Sequence, residues 1–305
     1  MNMLEIEGLG KSFGHGRGKI AAVADVSLAV GTGEFVGFVG PNGSGKTTTL
    51  KIIANLIWPD VGKISINGYD LFKQRKSALG CLAGIVENPG LFSGLTGMAH
   101  LDFIRGMRKV KKSRMDECIE LSGLGKHLRR KAQEYSLGMK QRLALAMCLM
   151  TDPKLLILDE PTNGLDPTGV LELREMLAIM KNEGKVSLLF SSHMLGEVEK
   201  LADRIVYIRR GHIIKEQGSM EANATYFLLD TSDNPKAMEA LAPYGAVIFT
   251  DGRIKLTLGT TPLDAVIEAV RTQGVAITDI QKRTYDLEAV YEELYRGGTP
   301  VVGVE

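Results

Sequence analysis

No apolar run in these 305 residues approaches the ~18–20 that a helix needs to cross a bilayer. The opening MNMLEIEGLGK also lacks the apolar core of a signal peptide. Cysteine is scarce. Cys81, Cys118 and Cys148 show no metal-ligand spacing and no even-numbered disulfide framework, which suits a reducing compartment. Neither sign of charge dominates: 37 basic residues meet 36 acidic ones, so the strongly basic footprint of a nucleic-acid binder is missing. These absences predict a cytoplasmic protein without a nucleic-acid partner. Any work at a membrane would need a partner that supplies the span. Glycine is the exception to an ordinary composition, with 35 residues, above the usual share of about 7%.

Strand-like runs occur at residues 4–9, 22–30, 34–40 and 63–68. The run EFVGFVG is apolar without alternation, as expected of a strand buried on both faces of a parallel sheet. A Gly-rich turn and the helical spacing of KTTTLKIIANLI follow it. Residues from about 91 to 150 read as mostly helical, with breaks near Gly106, Gly123 and Gly125. Strands return at 154–159, 185–191 and 204–208, with helical stretches between them. Alternating strands and helices predict an α/β core with a mainly parallel sheet, carrying the helical block as an inserted subdomain. Near Gly218 the pattern changes to strand, helix, hairpin, helix, strand and helix, the hairpin marked by Asp251-Gly252. Residues 1–218 and 219–305 are therefore expected to be a core domain and a small α+β appendage.

The chemistry centres on Gly40-Pro41-Asn42-Gly43-Ser44-Gly45-Lys46-Thr47, a match to G-x-x-x-x-G-K-[ST] continued by Thr48. A buried-type strand precedes it and a helix follows, the setting in which backbone N–H groups can wrap a phosphate chain. Lys46 is expected to reach the β- and γ-phosphates of a bound nucleotide, and the Thr47 hydroxyl to ligate Mg²⁺. About 110 residues later, LLILDE ends an apolar strand in two acids at the sheet edge where ligands bind in such folds. Asp159 is the expected Mg²⁺ ligand, and Glu160 the general base that polarises the attacking water.

Those two motifs define a P-loop nucleotide hydrolase, and the residues between and after them narrow the class. Tyr135-Ser136-Leu137-Gly138-Met139-Lys140-Gln141 resembles the L-S-G-G-Q signature of the ABC ATPase family; taken alone, Ser136 could equally be a plain helix N-cap. Asn163-Gly164-Leu165-Asp166 resembles the D-loop of that family, and His193 its switch histidine. Phe13 stands where the family places the aromatic that stacks on adenine, although a core Phe would read the same way. The resemblance spans residues 1 to about 218, and its specificity lies in the ordered set.

The resemblance implies an ABC ATPase core with an antiparallel β edge and a helical insertion. It also implies that Ser136 and Gly138 of one subunit complete the nucleotide site of another, with Asp166 at the interface. Two subunits, identical or merely similar, would sandwich ATP and Mg²⁺ head to tail and drive a separate membrane permease, touching it near Glu87 and the insertion. The protein would then lie on the inner face of the membrane. Two departures stand out. Glu87 occupies the position of the Q-loop glutamine, which leaves an oxygen for Mg²⁺ but removes a hydrogen-bond donor. Leu137 and Met139 replace Gly and Gln in the signature. With Leu95-Thr96-Gly97 and the C-terminal appendage, these resemble ATPases of bacitracin- and lantibiotic-type exporters.

An importer motor shares every motif. A ribosome-acting ATPase of the superfamily would usually carry two cassettes, and a DNA-repair ATPase would need a coiled coil where only about 90 residues separate Lys46 from Ser136. A kinase would leave the signature and His193 without a use.

Overall fold

The computed structural model describes residues 2–14, 16–218, 225–248, 252–258 and 261–284. They fall into two compact units, Met1–Gln217 and Gly218–Glu305.

In the first unit, β1 (Asn2–Phe13) and β2 (Ile20–Gly31) form an antiparallel pair. Beside them lie β4 (Val61–Ile66) and the short β5 (Tyr69–Asp70), in the order β2-β1-β4-β5. A second sheet has six strands. In chain order these are β3 (Phe35–Val39), β6 (Leu82–Ile85), β7 (Leu155–Leu158), β8 (Ser187–Ser192), β9 (Arg204–Arg209) and β10 (His212–Gly218). Their spatial order is β10-β9-β3-β8-β7-β6, and β6 through β9 pair with β3 and one another in parallel. Every residue of β3, β7 and β8 is buried, which explains why β3, β7 and the Leu188–Phe190 stretch of β8 carry no exposed polar face.

The helix α1 (Lys46–Ile53) follows β3, and its Leu50, Ile52 and Ile53 join one core with residues from both sheets. Further along come α2 (Arg75–Gly80), α6 (Pro167–Glu183) and α7 (Leu195–Leu201). The register sets the site. Val39 is level with Ser192, and Leu158 with Phe190, so the chain leaves β3, β7 and β8 along one edge.

The insertion holds α3 (Gly97–Arg108), α4 (Lys112–Ser122) and α5 (Leu137–Leu149). Thr96 caps α3 by accepting Ala99 N–H at 3.2 Å. Gly106 does not break this helix; it lies inside it, and the left-handed turn comes at Lys109. An isolated helical glycine is only mildly unfavourable, and the rest of the helix carries it. Gly123 does end α4, in the left-handed conformation that favours glycine. No described helix is long and apolar enough to cross a membrane.

In the second unit, β11 (Thr225–Thr231), β12 (Val247–Ile248), β13 (Ile254–Leu256) and β14 (Ile277–Thr284) form an antiparallel sheet ordered β12-β13-β11-β14. Helices α8 (Asn234–Leu241) and α9 (Leu263–Thr272) pack their Ala237, Leu241, Val266 and Val270 onto Leu229, Ile254 and Leu256. β12 and β13 form the expected hairpin, with Gly252 at positive φ; Asp251 lies outside the described residues, as does the expected last helix.

Candidate functional site

A cavity of about 410 Å³ opens where β3 hands over to α1. Phe13, Ala22, residues 42–48, Glu160, Asn163 and His193 line it. The loop can approach closely because Gly45 has φ 112° and no Cβ; a Cβ there would sit 2.4 Å from Ala22 O. The first turn of α1 carries no acidic residue, and its leading N–H groups lack intrahelical acceptors. The positive end of a helix dipole thus faces the cavity.

Lys46 is only 5% exposed. Its Nζ donates to Gly40 O at 2.6 Å and Pro41 O at 3.3 Å, and stands 3.3 Å from Glu160 Oε1. The other carboxylate oxygen of Glu160, Oε2, lies 2.6 Å from His193 Nδ1 and accepts His193 N–H at 3.3 Å. Glu160 itself holds a left-handed φ of 47°, uncommon for a residue with a side chain. Its N–H is fixed by Ser191 Oγ at 2.8 Å.

Asp159 is nearly inaccessible and does not line the cavity directly. Its Oδ1 accepts Ser191 Oγ–H at 2.6 Å and Thr47 Oγ1–H at 3.1 Å. The hydroxyl of Thr47 and the carboxylate of Asp159 are hard oxygen donors side by side, the chemistry Mg²⁺ prefers. No cluster of three or more His, Cys, Asp or Glu suited to a metal occurs among the described residues. Ser44 Oγ is buried in the loop without a hydrogen-bond partner, a polar atom left for a ligand to satisfy.

Other expected site residues lie elsewhere. Ser136 Oγ accepts Met139 N–H at 3.2 Å and caps α5; Asp166 Oδ1 accepts Gly169 N–H at 3.1 Å and caps α6. Gly138 lets the two helix starts meet, since a Cβ there would be 3.3 Å from Gly169 Cα. None of these three lines the cavity. Glu87 does not line it either: its Oε1 is 2.5 Å from Lys51 Nζ on α1. Ser191 was not singled out from the sequence. It is one of two serines ending an apolar run, and only the register of β7 and β8 brings it to Asp159.

A parallel-sheet core with this loop, the paired acids and a histidine on the second acid defines a P-loop ATPase cassette. The family model described as "ABC transporter" matches residues 23–163. YhcH of Bacillus subtilis, described as an ABC transporter ATP-binding protein, is 37% identical over 96% of this chain and 95% of its own length. The bacitracin transport ATP-binding protein BcrA of Enterococcus faecalis is 34% identical over 97% of each chain. A solved structure, the ATP-binding subunit of an ABC transporter, superposes with a TM-score of 0.63 at 26% identity, over 88% of this chain and 99% of that one. This chain belongs to the ABC transporter ATP-binding proteins. It is an ATP-binding, ATP-hydrolysing subunit.

Proposed function

We propose that the chain powers export of a peptide antibiotic or another drug through a separate membrane permease, from the inner face of the membrane. One observation carries most weight: the Glu160 carboxylate is held between Lys46 and His193 inside the cavity. In this reading residues 1–218 are the nucleotide-binding domain and 219–305 an accessory domain. Gly40 to Thr48 cradle the triphosphate of ATP, and Lys46 donates to its terminal phosphates. Glu160 accepts a proton from the attacking water, and His193 orients that carboxylate and contacts the terminal phosphate.

Thr47 and Asp159 would hold Mg²⁺, with Glu87 as a further oxygen once its carboxylate leaves Lys51. The bound ion would supply neutralisation of phosphate charge. Phe13 offers its ring to the adenine.

Ser136 and Gly138 would act in trans. Both sit at the start of α5, away from the chain's own cavity, so a second ATPase subunit would use them to close over the terminal phosphate. Asp166 would sit at the same interface. The permease would seat in a second, more apolar cavity of about 530 Å³, lined by Leu56, Leu82, Val86, Leu91 and Met107 among others. Drug export as the task is supported by the 34% identity to the bacitracin transport ATP-binding protein over 97% of this chain.

The test is purification of the tagged chain from native membranes in mild detergent with ATP, followed by mass spectrometry and a phosphate-release assay. A near-stoichiometric polytopic membrane protein, with hydrolysis lost in Lys46→Ala, is expected. Ribosomal proteins in its place would reject the transport reading.

A further inference from the structure

Phe13 is the last residue of β1, and its ring, 47% exposed, lines the nucleotide cavity. The ladder that should fix its direction is irregular. The β1–β2 register shifts between Leu9 and Lys11 and again between Lys11 and Ser12. A slip of one residue would turn the ring to the opposite face of the sheet. After those shifts only two pairs in step, Ser12 with Ala21 and Phe13 with Ile20, hold the end of β1 to β2.

A side chain from the turn after α1 supplies what the ladder lacks. Asp60 Oδ2 accepts Ser12 N–H at 2.9 Å, and Asp60 Oδ1 takes Lys11 Nζ at 2.8 Å. The backbone N–H of Asp60 donates to Gly10 O at 2.8 Å. Three consecutive residues before Phe13 are thus gripped by one aspartate. Lys11 Nζ, so held, stands 5.7 Å from the centroid of the Phe13 ring, within reach of its π face. The hydrogen bonds from Lys11 and Ser12 also keep the Asp60 carboxyl below the usual carboxylate range, so the grip is charged at neutral pH. Neither Lys11 nor Asp60 lines the cavity.

We propose that Asp60 and Lys11 are positioning residues for the nucleobase: Asp60 sets the register at the end of β1, and Lys11 steadies the Phe13 ring. A platform already held in place loses less freedom when a base stacks on it. The inference rests on the nucleotide reading of the cavity. It adds that base recognition depends on two residues that touch no nucleotide.

The experiment compares binding of Mg·ATP with binding of inorganic triphosphate, which has no base, to the full chain by titration calorimetry. Lys11→Met and Asp60→Asn are each expected to weaken ATP binding about 2- to 5-fold. Their triphosphate binding should stay within about two-fold of the parent, because the loop that holds it is untouched. Phe13→Ala should weaken ATP binding about 10-fold, and Phe13→Tyr should retain it. Adding Asp60→Asn to Phe13→Ala should cost nothing more, since the platform is already gone. Steady-state kinetics should show the single variants raising KM without lowering kcat. Equal losses for ATP and triphosphate would overturn the proposal, as would unchanged ATP affinity in both single variants, or a full Asp60→Asn effect without the Phe13 ring. Failure of the parent chain itself to bind ATP would instead reject the underlying reading.

Discussion

His193 grips Glu160 twice, with ring Nδ1 2.6 Å from Oε2 and with its backbone N–H at 3.3 Å from the same oxygen. The second bond comes from the main chain just beyond β8, so the carboxylate is aimed by the sheet as well as by the ring. Replacement of Glu160 by Gln preserves shape and most hydrogen bonding but removes the proton acceptor. Phosphate release should fall by about 10²- to 10⁴-fold, while ATP binding measured by calorimetry stays within about three-fold. Normal turnover would remove Glu160 from the role of base.

Ser191 touches Asp159 Oδ1 and Glu160 N–H but does not line the cavity. It orients an expected magnesium ligand from behind. Ser191→Ala should therefore raise the magnesium concentration at half-maximal hydrolysis by about 10-fold, and chelation of magnesium should abolish hydrolysis in the parent. An unchanged magnesium titration would show that Asp159 needs no such support.

Gly84 lies in β6 against β7, where a Cβ would come 2.3 Å from Ile157 Cγ1 and 2.6 Å from Ile157 O. One of those neighbours is backbone and cannot swing away. Gly84→Ala should lower unfolding stability in urea by about 1–3 kcal/mol. A stability equal to that of the parent would mean that the β6–β7 pair is looser than its packing implies.

Burial alone would raise the Glu34 carboxyl, but hydrogen bonds from Arg204 and from Gly31 N–H outweigh it, and the folded value is lowered. The Arg204 guanidinium lies 2.8 Å from Glu34 Oε1 and also binds Glu216. A depressed folded value places the linked stability above the unfolded carboxyl range near pH ~4.3, and it is lost as pH falls through the folded value. Chemical unfolding between pH 7 and 3 should show a shallower acid limb for Glu34→Gln than for the parent. Parallel limbs would show that the pair contributes no pH dependence.

Much of this was legible beforehand because the informative residues are local in sequence. Gly40 to Thr47 form one contiguous turn between a strand and a helix, and the structure has β3 and α1 on either side of it. The apolar runs before Asp159 and His193 are β7 and β8, buried throughout. The break expected near Gly106 falls at Lys109, three residues on, which shows the limit of punctuation by residue type. Glycine permits a turn without requiring one, and the chain turned at Lys109.

The sequence by itself determined the class of chemistry, since a phosphate loop, paired acids and an ordered set of later motifs need only their own residues and spacing. It also determined that the strand before the loop, β3, would be buried on both faces. Only the tertiary structure decided which side chains share an atom. It brought Ser191 to Asp159, sent Glu87 to Lys51 instead of the cavity, and gave Asp60 the end of β1 to hold. Those pairings depend on sheet register and on turns that converge from distant parts of the chain, and neither residue of such a pair carries a signal of the other in its own neighbourhood.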